Sequence, residues 1–336
     1  MLLRRIGIAA VVGASSIGMV GHSSAIDIVI DYTYDTGNFF NNGSTNSTNA
    51  RNALEAAAGQ LSSYLDDTFS AIQTPDQFAS QTFGGITTWT WSRTFFNPWD
   101  GSNVMLSDQD VAADTYIVYA GARSLSGNVA GLGGGGGFSW TRNNNGGFYT
   151  SDELNQIAAI TDDFSDLVET RGEAAGYSNW GGSVTFDSDG STNWWYDHTT
   201  DVGSNSHTDF YSVALHELIH TLGFGGSDEW NALIANSGSN DPVFTGAQSV
   251  AVFGGNPPIE IGVEGHWRED TESLTFMGGV LQETAMDPNI LNGTRKYLTE
   301  LDAAGLEDLG WTVIPEPTAA LLLAGGIVAL LPRRRA

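Results

Sequence analysis

Val213-Ala214-Leu215-His216-Glu217-Leu218-Ile219-His220-Thr221-Leu222-Gly223-Phe224 is the stretch on which the reading of this chain turns. His216 and His220 stand four residues apart. On a helix that spacing is about 40° of rotation and about 6 Å of rise, so both imidazoles reach one point. Two neutral imidazoles suit Zn²⁺. Glu217 lies beside that face, close enough to take a proton from a water at the metal and pass it to a leaving amine. Val213, Leu215, Leu218, Ile219 and Leu222 supply the apolar flanks that would bury such a helix. The residues therefore predict a helix carrying zinc-dependent peptide hydrolysis, with Glu217 as general base. An amphipathic helix with two surface histidines is the plainer alternative.

Two histidines do not complete the site, because a catalytic zinc takes three protein ligands and a water. The compact pattern HExxHxxGxxH places the third histidine three residues after the glycine, and here that position is Gly226. The third ligand must come from elsewhere. Of six histidines, His22 lies in the N-terminal segment, and His198, His207 and His266 remain. His207 is too near the helix start for easy reach, and His198 reads as a substrate-side or surface residue. His266 stands in Glu264-Gly265-His266-Trp267-Arg268. Asp228 is its main rival, since a carboxylate can replace the third imidazole. Glu269 or Glu272 would serve in a different zinc hydrolase, such as an aminopeptidase. Downstream, Thr284-Ala285-Met286-Asp287-Pro288 contains a good turn former in Asp-Pro.

His216-Glu217, His220, Gly223-Phe224, an intervening segment, His266-Trp267 and then Met286 together resemble the leishmanolysin-type arrangement of the metzincins. Leu298 to Trp311 resembles the C-terminal helix of that group and the Gly-Trp after it. The likeness covers roughly residues 210–312, and the chain departs from the group in having no cysteine. The resemblance implies that His266 is the third zinc ligand. It implies that Met286 is the turn methionine beneath the metal, with Met277 as the weaker candidate. It also implies an α+β, metzincin-like zincin fold: a twisted mixed sheet, an active-site helix and a C-terminal helical subdomain.

The two ends read as address signals. Arg4 and Arg5, an apolar stretch and Ser23-Ser24-Ala25 make residues 1–25 a signal peptide. Pro315-Glu316-Pro317, a 14-residue apolar run over 318–331, and Arg333 to Arg335 resemble the PEP-CTERM sorting segment of Gram-negative bacteria. That resemblance implies export, transient membrane anchoring, recognition by an exosortase-type machinery, and a link to extracellular polysaccharide. The expected organisation is a signal peptide over 1–25, a peptidase domain over 26–312 with halves 26–224 and 225–312, and a sorting segment over 313–336. Without cysteine there is neither a disulfide framework nor a thiolate metal site. A net charge of −26 argues against nucleic acid as a partner. It is also compatible with a second reading, a non-catalytic matrix or adhesion protein on the same scaffold.

Upstream of the motif, Ile26 to Tyr32 and Thr115 to Ala120 read as strands, and residues 50–67 as a helix. Gly131 to Gly137 reads as a flexible loop, since it lacks the GxxxxGK[ST] of a phosphate loop. Residues 151–170 read as a helix with Ser151 as N-cap. Gly182 to Asp187 reads as a strand, and the 181–200 region is expected to hold the substrate backbone. Asp187, Asp189 and Asn193 place oxygen ligands at alternating positions, as at the start of a calcium loop, although the downstream glutamate is missing. A solvated turn is the alternative for them. Trp194, Trp195 and Tyr196 line either a substrate groove or the interior.

Overall fold

The computed structural model describes residues 26–173, 177 and 180–314, so the expected signal peptide and nearly all of the expected sorting segment lie outside the described residues. The first half contains β1 (Asp27–Asp31), α1 (Thr45–Tyr64), β2 (Phe78–Ala79), β3 (Ile86–Phe96), β4 (Asn103–Ser107), β5 (Thr115–Arg123), β6 (Gly131–Gly135), β7 (Gly137–Asn145), α2 (Ser151–Thr170) and β8 (Gly181–Asp187). Then come β9 (Trp194–Trp195), β10 (Thr208–Asp209), α3 (Phe210–Thr221), α4 (Asp228–Ala232), β11 (Ile234–Ala235) and β12 (Val243–Phe244). The chain ends with α5 (Ala247–Phe253), β13 (Glu272–Leu274), β14 (Leu281–Glu283) and α6 (Glu300–Asp308). The architecture is mixed α+β, with twisted sheets. Among the described residues no helix is long and apolar enough to cross a membrane.

The central sheet has the order β1-β5-β8-β6. The first three strands run parallel and β6 runs antiparallel along the edge. A parallel sheet is stable when both faces are covered, and β5 shows how this is done. Tyr116, Val118, Ala120 and Ala122 face one apolar cluster, which holds α1, α3 and α6 residues. Ile117 and Tyr119 face a second cluster with Trp89, Trp91 and Phe95 of β3 and Ile157 and Phe164 of α2. The first cluster runs from Ile26 to Val313, so the stretches 26–224 and 225–312 share one core.

The expected helices form, with boundaries set by their caps. α1 starts at Thr45, earlier than its apolar spacing suggests, because the Ser44 side chain accepts from Ser47 N. α2 spans 151–170 as expected, but its cap is Thr150, which closes a capping box with Glu153.

Two expectations change. The glycine run is not a flexible loop. Gly131–Gly135 is β6, paired residue for residue with β8, and the chain continues through Gly136 into β7. Its composition follows from what it crosses. A Cβ on Gly131 would fall 2.6 Å from Glu217 Oε1, and one on Gly133 would strike the Glu217 backbone carbonyl. Only glycine lets the strand lie this close to α3. β8 is not the substrate-side strand either. Both its edges are taken, by β5 and β6, and all seven of its residues are buried. The sheet edge on that side belongs to β6.

This packing makes a local prediction. Gly133→Ala is expected to destabilise the protein by about 1–3 kcal/mol, the range for forcing atoms into a filled space. Gly134→Ala, whose Cβ would meet nothing within 4 Å, should stay within about 0.5 kcal/mol of wild type. Denaturant unfolding of the two variants checks this, and equal losses would show that β6 does not press on α3.

Candidate metal centre

α3 begins where Asp209 caps it, its carboxylate accepting from Ser212 N and Oγ at 3.1 and 2.7 Å. The same carboxylate pairs bidentately with Arg295, at 3.0 and 2.7 Å. Arg295 also donates to the backbone oxygens of Asp197, His198 and Thr200, which ties that loop to the helix start. At the other end Gly223 turns the chain at φ +94°, with the Tyr177 ring where a side chain would stand. Both the dihedral and the close approach require glycine there. Within α3 every residue is buried except His216 and His220. The helix is thus held on all sides but one, and that side carries the two imidazoles.

His266 completes a triangle. The three Nε2 atoms of His216, His220 and His266 are each 3.1 Å from the other two. Among the described residues they form the single group of histidine and carboxylate side chains arranged to hold a metal ion. Tautomers follow from the outer nitrogens. His216 Nδ1 lies 2.7 Å from Ala285 O and His220 Nδ1 2.8 Å from Phe224 O. A carbonyl only accepts, so both Nδ1 atoms carry the proton and both Nε2 atoms present lone pairs. His266 Nδ1 faces the Val263 backbone without reaching hydrogen-bond geometry. Burial depresses the proton affinity of all three rings. It holds His216 well below the usual range, with His220 and His266 adding to the effect, and takes His220 down to about 4. Neutral imidazoles whose lone pairs meet repel one another unless a cation lies between them. A triangle of this edge has its centre about 1.8 Å from each nitrogen, so all three would reach a single ion at about the usual zinc–imidazole length. The three residues fit a metal ion held by imidazole nitrogens.

Glu217 lies between α3 and β6. It is buried and accepts from Gly133 N–H, and burial pushes its carboxyl up to about 8 against that hydrogen bond. A cleft of about 660 Å³ opens beside the triangle, lined among others by Gly133, Gly134, Tyr177, His220, Asp228 and His266.

The third histidine is brought in by packing. Trp267 is buried against Phe224, Trp230 and Phe244, with ring centroids 5.1 to 5.3 Å apart. Trp267 N donates to Met286 O, and Gly225 and Gly265 approach so closely that a side chain on Gly225 would strike Gly265 O. Met286 is fully buried beside Ala285, whose carbonyl holds His216. Met277, the other turn candidate, is 51% exposed next to the β13–β14 hairpin and is excluded from such a position.

The remaining candidates go elsewhere. Asp228 is exposed at the start of α4 and lines the cleft outside the triangle. Glu269 holds Asn289, and Glu272 is exposed on β13. His198 stacks on Tyr211, and His207 packs against Trp195. Trp194 and Tyr196 lie on Phe210 at the start of α3, which favours packing over a groove. Asp187, Asp189 and Asn193 do not gather into a calcium cage. The Asp187 carboxylate is occupied by Leu125 N, Asp189 N, Ser191 Oγ and Thr192 N. Asp189 accepts from Ser191 N and Ser124 Oγ, and Asn193 donates to Ser206 O. These oxygens close a turn on itself.

Two features of the site's surroundings escape a reading of the sequence. One is the Gly133 N–H on Glu217; the alternation of glycines at 131, 133 and 135 is the trace it leaves. The other is Asp302, the third residue of α6. It is buried, and its carboxylate lies against the turn carrying Met286. Thr299-x-x-Asp302 marks it only as a helix cap.

No protein-family model, no curated protein and no solved structure matches this chain.

Proposed function

We propose that this chain is an exported zinc-dependent endopeptidase with a metzincin-like site. The observation that carries the reading is the convergence of three neutral histidine nitrogens beside the buried carboxylate of Glu217. His216, His220 and His266 would hold the ion. Zinc bound there supplies Lewis acidity to a water and to the carbonyl oxygen of the scissile bond. Glu217 takes the water's proton on its carboxylate and delivers it to the departing nitrogen. β6 supports the choice of an extended peptide as substrate. It is a sheet edge passing over α3, and an edge strand offers backbone amides and carbonyls to an added strand. Glycines at 131, 133 and 135 leave that edge bare of bulk. The terminal address signals support action outside the cytoplasm, with exosortase-type processing and a polysaccharide-rich surrounding.

Metal analysis and proteolysis together test this. The purified protein should carry about one zinc per chain. It should cleave an unfolded protein substrate, lose that activity to a zinc chelator, and regain it on adding zinc. A zinc-loaded chain that cleaves no protein or peptide would sink the peptidase reading and favour an adhesion protein on the same scaffold.

A further inference from the structure

Asp302 stands in the first turn of α6, 36 residues after His266 and 86 after His216. Its carboxylate is fully buried and takes five donors. Oδ1 accepts from Trp267 Nε1 at 3.1 Å and from Met286 N at 3.2 Å. Oδ2 accepts from Ala285 N at 2.8 Å, from Thr299 N at 3.0 Å and from Thr299 Oγ1 at 2.7 Å. A carboxylate that accepts from N–H and O–H groups on every side cannot turn without losing several bonds at once.

Capping α6 explains the two Thr299 bonds. It does not explain the other three. Ala285, held through its N–H, presents the carbonyl that receives His216 Nδ1. Trp267, held through its indole, directly follows His266, and its own N–H bonds Met286 O. One carboxylate is therefore a single bond from the residue that orients the first imidazole and a single bond from the neighbour of the third. His220 stands outside this network, since its Nδ1 is held by Phe224 O at the end of its own helix.

We propose that Asp302 is a positioning residue of the metal centre, setting the separation and orientation of the His216 and His266 nitrogens through the Ala285–Met286 turn and Trp267. This rests on reading the three histidines as a metal site. Groups that orient metal ligands from outside typically change metal affinity by about 10–100-fold when lost. Asp302 does so for two ligands at once, and an accidental cap would do so for neither.

The test uses the full chain with three substitutions. Asp302→Asn replaces one acceptor oxygen by a donor facing N–H groups. Trp267→Phe removes only the indole donor and leaves a ring in the aromatic cluster. Thr299→Val removes the hydroxyl that caps α6 and leaves the turn bonds intact. Zinc affinity is measured by chelator competition, the Co²⁺ absorption spectrum reports ligand geometry, and the melting temperature of the metal-free forms reports stability. Asp302→Asn is expected to weaken zinc binding by about 10–100-fold and to shift the Co²⁺ bands. Trp267→Phe should do the same more weakly. Thr299→Val should lower the melting temperature and leave affinity and spectrum unchanged. If Asp302→Asn fails to fold, Trp267→Phe decides. Wild-type affinity and spectrum in the variants that fold would reduce Asp302 to a helix cap. A wild-type chain that takes up no zinc would overturn the metal site itself, a different result from unaltered binding in the variants.

Discussion

His266→Ala is expected to abolish stoichiometric zinc binding. The substitution removes one corner of a triangle whose nitrogens are 3.1 Å apart, and two imidazoles on one helix remain. Loss of a group that merely orients a ligand costs about 10–100-fold in affinity, so loss of the ligand itself should cost at least that. The fold should survive, because the loop is anchored next door by Trp267 among Phe224, Trp230 and Phe244. The measurement is zinc content after dialysis against a weak chelator, alongside the melting temperature of the metal-free protein. Asp228→Ala serves as the control. Asp228 is exposed at the cleft wall, outside the triangle, and its variant should retain zinc. The reverse pattern, zinc kept without His266 and lost without Asp228, would overturn the ligand assignment.

Glu217→Gln should separate chemistry from metal binding. Glutamine has the same shape and keeps an oxygen for the Gly133 N–H, so β6 and α3 need not move. The amide cannot accept a proton at neutral pH. Losing a general base costs about 10²–10⁴-fold in rate. The variant is therefore expected to bind about one zinc per chain with an unaltered Co²⁺ spectrum, and to cleave peptide at no more than a hundredth of the wild-type rate. Steady-state kinetics should place the loss in kcat rather than KM, because the proton transfer belongs to the transition state. A variant that still cleaves at the wild-type rate would remove Glu217 from the mechanism.

How much of this is legible in the sequence depends on the range of the interaction that decides each feature. His216, Glu217 and His220 are readable because helical geometry is local. Four residues of spacing put both rings on one face whatever the rest of the chain does. The bounds of α2 are readable too, although the N-cap is Thr150, which closes a box with Glu153, rather than the Ser151 the sequence suggested. His266 is readable only as one candidate among several. It stands 46 residues from His220, and its place depends on an aromatic cluster that no local spacing encodes. β6 reads wrongly. Glycine has no preference for a strand, and here it is selected by the need to pass close over Glu217. The Asp187 turn misleads in the opposite direction. Its oxygens have calcium-loop spacing, and tertiary structure spends them on backbone and hydroxyl donors.

By itself, then, the sequence determines a helix that presents His216 and His220 on one face with Glu217 beside it, and the absence of a histidine at Gly226, because these follow from residue type and the period of a helix. Tertiary structure alone decides that His266 closes the triangle, that a glycine strand roofs Glu217, and that Asp302 braces the Met286 turn. Those three are settled by what packs between distant segments, and packing has no short-range signature.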